Sequence, residues 1–259
     1  MNLLEAIILG IIQGLTEFLP VSSSGHLEIG KFLFGIDAEK NIFFTIAVHG
    51  ATVLSTLVVF RREIATLLSG LFRFKMNEET SYVLKLIVSM IPVGITGVFF
   101  KDSVEQLFNG NMIFVGSMLL VTAVMLASGH FMKRKERAIN YFDAFIIGIA
   151  QAVAVIPGIS RSGATISTGM MLGNKKDELA KFSFLMVLVP VIGANLLDVA
   201  SGDMTSGSTS AMVILAGALS AFVSGLLACS WMISLVRKSK ILGFSIYCAI
   251  LGLLAIFIL

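Results

Sequence analysis

Charge is what this sequence has least of. Only 14% of its 259 residues are Asp, Glu, Lys or Arg, against 56% hydrophobic, and the mean hydropathy is +0.94. An average soluble domain is about one quarter charged, so an ordinary water-soluble globule is excluded. The two cysteines, Cys229 and Cys248, fall in separate apolar runs with no metal spacing, which removes a disulfide scaffold and a thiolate metal site from consideration. There is no basic tail and no basic patch interleaved with aromatics, so nucleic acid is not an expected partner. The first nine residues carry Glu5 and no basic segment, and read as the start of a helix rather than a cleaved leader. What remains is a series of long apolar runs. Runs, rather than alternation of apolar and polar residues, select membrane helices over a lipid-embedded barrel.

One polar stretch interrupts those runs, and it occurs twice. The first copy runs from Gly10 through Gln13, Glu17, Pro20, Ser22, Ser23, Ser24 and Gly25 to His26. The second runs from Gly148 through Gln151, Pro157, Ser160, Arg161, Ser162 and Gly163 to Thr165. A shift of 138 positions superposes Gly10 on Gly148, Ile11 on Ile149, Gln13 on Gln151, Ser22 on Ser160, Ser24 on Ser162 and Gly25 on Gly163. That is six identities in sixteen positions, where roughly one is expected from composition. A broken hydrophobic segment at corresponding places in the two halves of a membrane protein points to its binding site.

Around this repeat the chain divides in two. Residues 3–19 have a helical apolar pattern that stops at Pro20, and the apolar piece after the elbow, about Leu27 to Ile36, is too short to cross a bilayer. The pattern predicts a re-entrant hairpin over 3–36, followed by spans at 42–60, 81–100 and 112–132. An amphipathic piece from Ile64 to Lys75 is expected on the membrane surface. The second half, 138–259, repeats the scheme with a hairpin over 141–173 and spans at 182–200, 211–235 and 241–259. The expected fold is an all-α polytopic membrane protein, one integral membrane domain made of the repeats 1–137 and 138–259. A hairpin returns to its own side and three spans are an odd number, so the second repeat enters from the opposite face. The repeats are therefore expected to be inverted, with their elbows meeting near the midplane.

Lysine and arginine set the orientation. One set of loops holds Arg61, Arg62, Arg73, Lys75, Lys133, Arg134, Lys135, Arg137, Lys175, Lys176, Lys181, Arg237, Lys238 and Lys240, fourteen of the nineteen basic residues. The other side holds Lys31, Lys40 and Lys101. The first set is expected in the cytoplasm, with the first hairpin and both termini opening to the outside.

Each elbow begins a half-helix, whose unpaired N–H groups and positive dipole end face the expected midplane site. Ser22, Ser23, Ser24, Ser160 and Ser162 are good N-cap residues, and Gly25 and Gly163 allow close approach. Capping does not account for Arg161. An intramembrane arginine is functional by default and has an anionic partner. That partner is either Glu17, in an internal ion pair, or a bound anion such as phosphate. Gln13 and Glu17, four apart on one helical face, offer hard oxygens to Mg²⁺ or Ca²⁺. His26 is a candidate base, and its neighbouring serines are candidate nucleophiles. Residue spacing leaves serine attack and metal-activated water both open. Gln151 mirrors Gln13, but Val155 stands where Glu17 does, so the first elbow is acidic and the second basic.

These two stretches, Gln13 to His26 and Pro157 to Thr165, resemble the paired signature motifs of the bacitracin-resistance type undecaprenyl-diphosphate phosphatases. The resemblance covers essentially the whole chain. It implies hydrolysis of undecaprenyl diphosphate to the monophosphate at the outer face of the bacterial cytoplasmic membrane. That recycles the lipid carrier of peptidoglycan synthesis and removes the target of bacitracin. It matches Glu17, His26, Ser23 and Arg161 to the catalytic positions, and Ser22, Ser24, Gly25, Ser160, Ser162, Gly163 and Thr165 to substrate binding. Gln13 and Glu17 match the acidic pair of the first motif, with one charge fewer for a divalent cation. The partners implied are an isoprenyl diphosphate lipid and the bilayer, and a homodimer is compatible with the pattern. The rival reading is a secondary transporter or flippase for a phosphorylated isoprenoid lipid, since opposed broken hairpins are also transporter architecture.

Overall fold

The computed structural model describes residues 1–36, 42–108, 110–132, 136–200, 210–237 and 241–259. Lys40, Lys133, Arg134, Lys135, Lys238, Lys240 and the loop 201–209, on which part of the charge argument rests, lie outside the described residues. The described chain is helical: α1 (Leu3–Phe18), α2 (Ser23–Leu33), α3 (Ile42–Val59), α4 (Arg61–Leu71), α5 (Glu78–Phe99), α6 (Lys101–Glu105), α7 (Met112–Phe131), α8 (Tyr141–Val153), α9 (Arg161–Met171), α10 (Lys176–Ala200), α11 (Ala211–Arg237) and α12 (Leu242–Phe257). An isolated bridge joins Arg137 to Asn174.

Local sequence sets the starts of the elements around the elbows. Asn2 caps α1 and Asn140 caps α8, each in a reciprocal box with the acid three residues on, Glu5 or Asp143. Ser22 caps α2 and Ser160 caps α9, each accepting from the amide three residues later, Gly25 or Gly163. All four caps obey the 138-residue offset of the polar stretch. α2 and α9 are eleven residues each. They start earlier than the sequence pattern suggests, because Ser23 and Arg161 are already the first helical residues rather than members of the turn.

Among the described residues four helices, Glu78–Phe99, Met112–Phe131, Lys176–Leu196 and Ala211–Val236, are long and apolar enough to cross a membrane. α3 passes the same test only together with α4, from which it is bent by 72°. The break falls at Phe60, just before the expected surface piece, and α4 exposes Leu68 while burying only Gly70. The last expected span is shorter than 241–259, since α12 has sixteen helical residues. Large apolar side chains such as Val98, Phe99, Val124, Leu215 and Leu227 are exposed. A multi-pass protein turns such residues to lipid.

The two halves interlock. α1 packs along α11, α8 along α5, and α7 along α12. Glycine is required where the first two pairs touch. A Cβ on Gly10 would lie 2.2 Å from the Gly217 carbonyl oxygen, and one on Gly148 would lie 2.4 Å from that of Ser89. Close backbone approach of this kind is how helices associate where lipid supplies no hydrophobic drive. Two ion pairs depart from the sequence reading. Lys31, counted among the outer loop charges, is buried and paired with Glu28 at 3.2 Å. Arg137, counted as a loop charge, makes a forked pair with the fully buried Asp143, which also accepts from Asn174 Nδ2 at 2.9 Å. This clamp ties the segment before α8 to the turn after α9.

Candidate active site

The two elbows touch. Ser162 Oγ donates to the Leu19 carbonyl at 3.1 Å, and the Gly158 amide lies 3.4 Å from Ser24 Oγ. Gly158 turns the second elbow with φ +93°, and a Cβ there would meet the Val115 carbonyl oxygen at 2.6 Å. Thr122 of α7 pins the same elbow from behind, donating to the Gly158 carbonyl at 3.1 Å and accepting from the Ser160 amide at 2.9 Å. In the first elbow Ser22 has φ +70°, a conformation unfavourable for a side-chain-bearing residue that persists only when its surroundings hold it. Those surroundings are its own cap bond to Gly25 and the two bonds its carbonyl accepts from His26.

Glu17 is the hub of the junction. Its Oε1 is paired with the Arg161 guanidinium. Its Oε2 accepts from Ser23 Oγ at 2.6 Å and from Gln13 Nε2 at 2.9 Å. The internal ion pair, one of the two partners open to Arg161, is therefore present. Ser23 is oriented by the carboxylate and not by His26. His26 is held differently, with Nδ1 at 2.7 Å from the Ser22 carbonyl and Nε2 at 2.7 Å from the hydroxyl of Tyr247, on α12. Tyr247 was not legible in the sequence, since it lies 221 residues from its partner.

The remaining expected residues divide by role. Ser22 and Ser160 are caps, and their hydroxyls approach Ser24 and Ser162 at 3.3 and 3.4 Å. Thr165 is bonded to Ser183 of α10 at 2.6 Å and to the Arg161 carbonyl at 2.9 Å, so it braces the start of α9. Gly25 and Gly163 sit against the opposite elbow, near Gly158 and Pro20. Gln13 does not present its oxygen beside the Glu17 carboxylate as a ready pair of ligands, because its amide nitrogen faces Glu17. Its Oε1 is buried without a partner. Among the described residues no three of His, Cys, Asp and Glu gather within reach of one ion. A cleft opens beside the Glu17–Arg161 pair. Thr52, Thr56, Ser162 and Ser183 line it with hydroxyls, and Val53, Phe184, Val187, Leu188 and Val191 line it with apolar surface. One site thus offers a cation, hydroxyls and hydrocarbon together.

An all-helical chain with these spans and a charged, hydroxyl-rich centre where two broken segments touch is a multi-pass membrane protein with an internal polar site. The profile of the family described as "Bacitracin resistance protein BacA" matches residues 6–254. A relative from Parabacteroides distasonis, named "Undecaprenyl-diphosphatase", is 56% identical, covering 99% of this chain and 98% of the relative. Relatives of the same name from Bacteroides thetaiotaomicron and Bacteroides fragilis are 55% and 54% identical with the same coverage. The chain belongs to the bacitracin resistance protein family.

Proposed function

We propose that this chain hydrolyses undecaprenyl diphosphate to undecaprenyl phosphate and phosphate, as the name carried by relatives that match almost its whole length states for them. The observation that carries the reading within this chain is the Ser23–Glu17–Arg161 constellation. A carrier needs a cation for its anionic cargo, but it has no use for a hydroxyl hydrogen-bonded to a carboxylate beside that cation. This favours the hydrolase over the flippase.

In the proposed reaction Glu17 Oε2 takes the proton of Ser23 Oγ, and Oγ forms a bond to the terminal phosphorus. The bridging P–O bond breaks and its electron pair leaves with the lipid monophosphate. Water then attacks the phosphoserine phosphorus, giving up a proton to His26 Nε2; the P–Oγ bond breaks, Glu17 returns its proton to Ser23 Oγ, and phosphate is released. Arg161, with one face on Glu17, turns its remaining N–H groups to the phosphoryl oxygens. The amides of the first turns of α2 and α9 add partial positive charge at the same place. Thr52, Thr56 and Ser183 line the polar wall of the cleft, and its apolar wall receives the first isoprene units. With its amide turned over, Gln13 would set Oε1 beside the Glu17 carboxylate, and these oxygens together with substrate phosphates would hold a divalent cation, Mg²⁺ or Ca²⁺. Such a cation, when bound, neutralises charge on the diphosphate.

The equal length and spacing of α2 and α9, and the crossed packing of α1 on α11 and α8 on α5, support two inverted repeats, 1–137 and 138–259, each opening with a re-entrant hairpin. The charge bias supports an active site open to the outer face of the cytoplasmic membrane. The nucleophile is tested by comparing Ser23→Ala with Glu17→Gln. Serine attack requires both to lose nearly all turnover, and a trapped phosphoserine in the parent. A Ser23→Ala protein with near-normal turnover beside an inactive Glu17→Gln would leave water as the attacking group.

A further inference from the structure

We propose that Tyr247 is the positioning residue of His26. The inference rests on the reading of His26 as the base of the hydrolysis. A neutral imidazole carries one N–H, and the oxygen facing Nδ1 at 2.7 Å is the Ser22 carbonyl, which can only accept. The proton is therefore on Nδ1, and Nε2 presents a lone pair. The group on that lone pair is the Tyr247 hydroxyl at 2.7 Å, which must be the donor. The two rings lie nearly parallel, 9° apart, with centroids separated by 5.6 Å. His26 is thus held at both nitrogens, so its tautomer and ring orientation are fixed together.

The tyrosine is carried there by a helix anchored on both sides. Two residues before it, Ser245 donates to the Ala123 carbonyl of α7 at 2.7 Å, and the next residue, Cys248, sets its thiol 3.7 Å from the Pro20 carbonyl of the first elbow. Tyr247 itself is half exposed. Its hydroxyl is therefore able to swing off Nε2 when a water or phosphoryl oxygen arrives, and to return afterwards. Until then the hydroxyl holds the Nε2 lone pair in one direction. The residue comes from α12, outside the two elbows.

The test uses purified full-length protein in detergent with undecaprenyl diphosphate. Tyr247→Phe keeps the ring and removes the donor. Turnover number should fall about three- to tenfold, the rate equivalent of one neutral hydrogen bond. KM and the thermal unfolding midpoint should stay at the parent values. In a His26→Ala background the same change should cost nothing further, because the tyrosine acts only through the imidazole. Histidine ¹⁵N spectra supply a readout independent of activity. The His26 signals, assigned by their loss in His26→Ala, should report the Nδ1–H tautomer in both proteins, with the Nε2 signal shifted in Tyr247→Phe by loss of the donated hydrogen bond. Parent-like turnover and an unchanged Nε2 signal in Tyr247→Phe, with His26→Ala impaired, would overturn the inference while leaving the hydrolase reading intact. Equal losses from Tyr247→Phe with and without His26 would overturn it too, as a purely structural effect. Full activity in His26→Ala would remove the base and its positioning residue together.

Discussion

Replacing Glu17 by Gln should damage stability as well as turnover, and the two losses should respond differently to a second change. The carboxylate holds Arg161 on one oxygen and Ser23 and Gln13 on the other. Glutamine preserves the shape but leaves a guanidinium with only 25% side-chain exposure and no counter-charge. Removing one partner of a buried pair costs about 3–5 kcal/mol, and the partial exposure of Arg161 puts this case at the lower end, about 3 kcal/mol. For a chain of this size that corresponds to a fall of about 6–12 °C in the unfolding midpoint. Changing Arg161 to Gln in the same protein removes the stranded charge, so the double variant should regain most of the midpoint. It should stay inactive, because the acceptor for Ser23 and the phosphate-facing cation are both gone. Thermal unfolding in detergent reads the first effect and phosphate release the second. A Glu17→Gln protein that melts within about 2 °C of the parent would refute the reasoning, since the pair would then contribute nothing to the fold.

Three further outcomes follow from the same geometry. Arg161→Lys should keep the fold and lose most turnover, because a point charge cannot hold Glu17 and a diphosphate at once as a planar fork does; parent-like hydrolysis would make the residue purely structural. Gly10→Ala and Gly148→Ala should each destabilise by about 1–3 kcal/mol through forced separation of packed backbones, whereas Gly94→Ala, with nothing within 4 Å of the added carbon, should be neutral or slightly stabilising; equal midpoints for all three would contradict the interlocked packing. A single cysteine placed in the loop 201–210 should react with an impermeant thiol reagent in intact cells, and labelling only after lysis would reverse the orientation.

Much of the site was legible because its parts are local. Pro20, the serines and Gly25 break an apolar run in a way that short-range turn and capping chemistry requires, and the second copy repeats it. The Glu17–Arg161 pair was within reach for a similar reason, since two opposite charges in lipid-facing sequence must find partners. What the sequence left hidden depends partly on packing between distant segments and partly on how neighbouring residues pair. Tyr247 belongs to an apolar helix with no polar pattern of its own. Arg137 looked like one more cytoplasmic charge until Asp143 and Asn174 were seen to close on it, and Lys31 looked like an outer loop charge although Glu28 lies one turn away. The choice of Glu17 over His26 as the partner of Ser23 is set by how the first elbow turns. Spacing along α2 places Ser23 and His26 near each other, but the ring is drawn off to the Ser22 carbonyl and α12.

The central claim is that the junction of the two elbows cleaves a phosphoric anhydride. Purified protein in detergent, with no second compartment for a carrier to fill, should convert undecaprenyl diphosphate to equal amounts of inorganic phosphate and undecaprenyl phosphate, and the Glu17→Gln/Arg161→Gln protein should not. Lipid diphosphate recovered intact by a folded protein, together with its movement between leaflets when the same protein is placed in vesicles, would contradict the account.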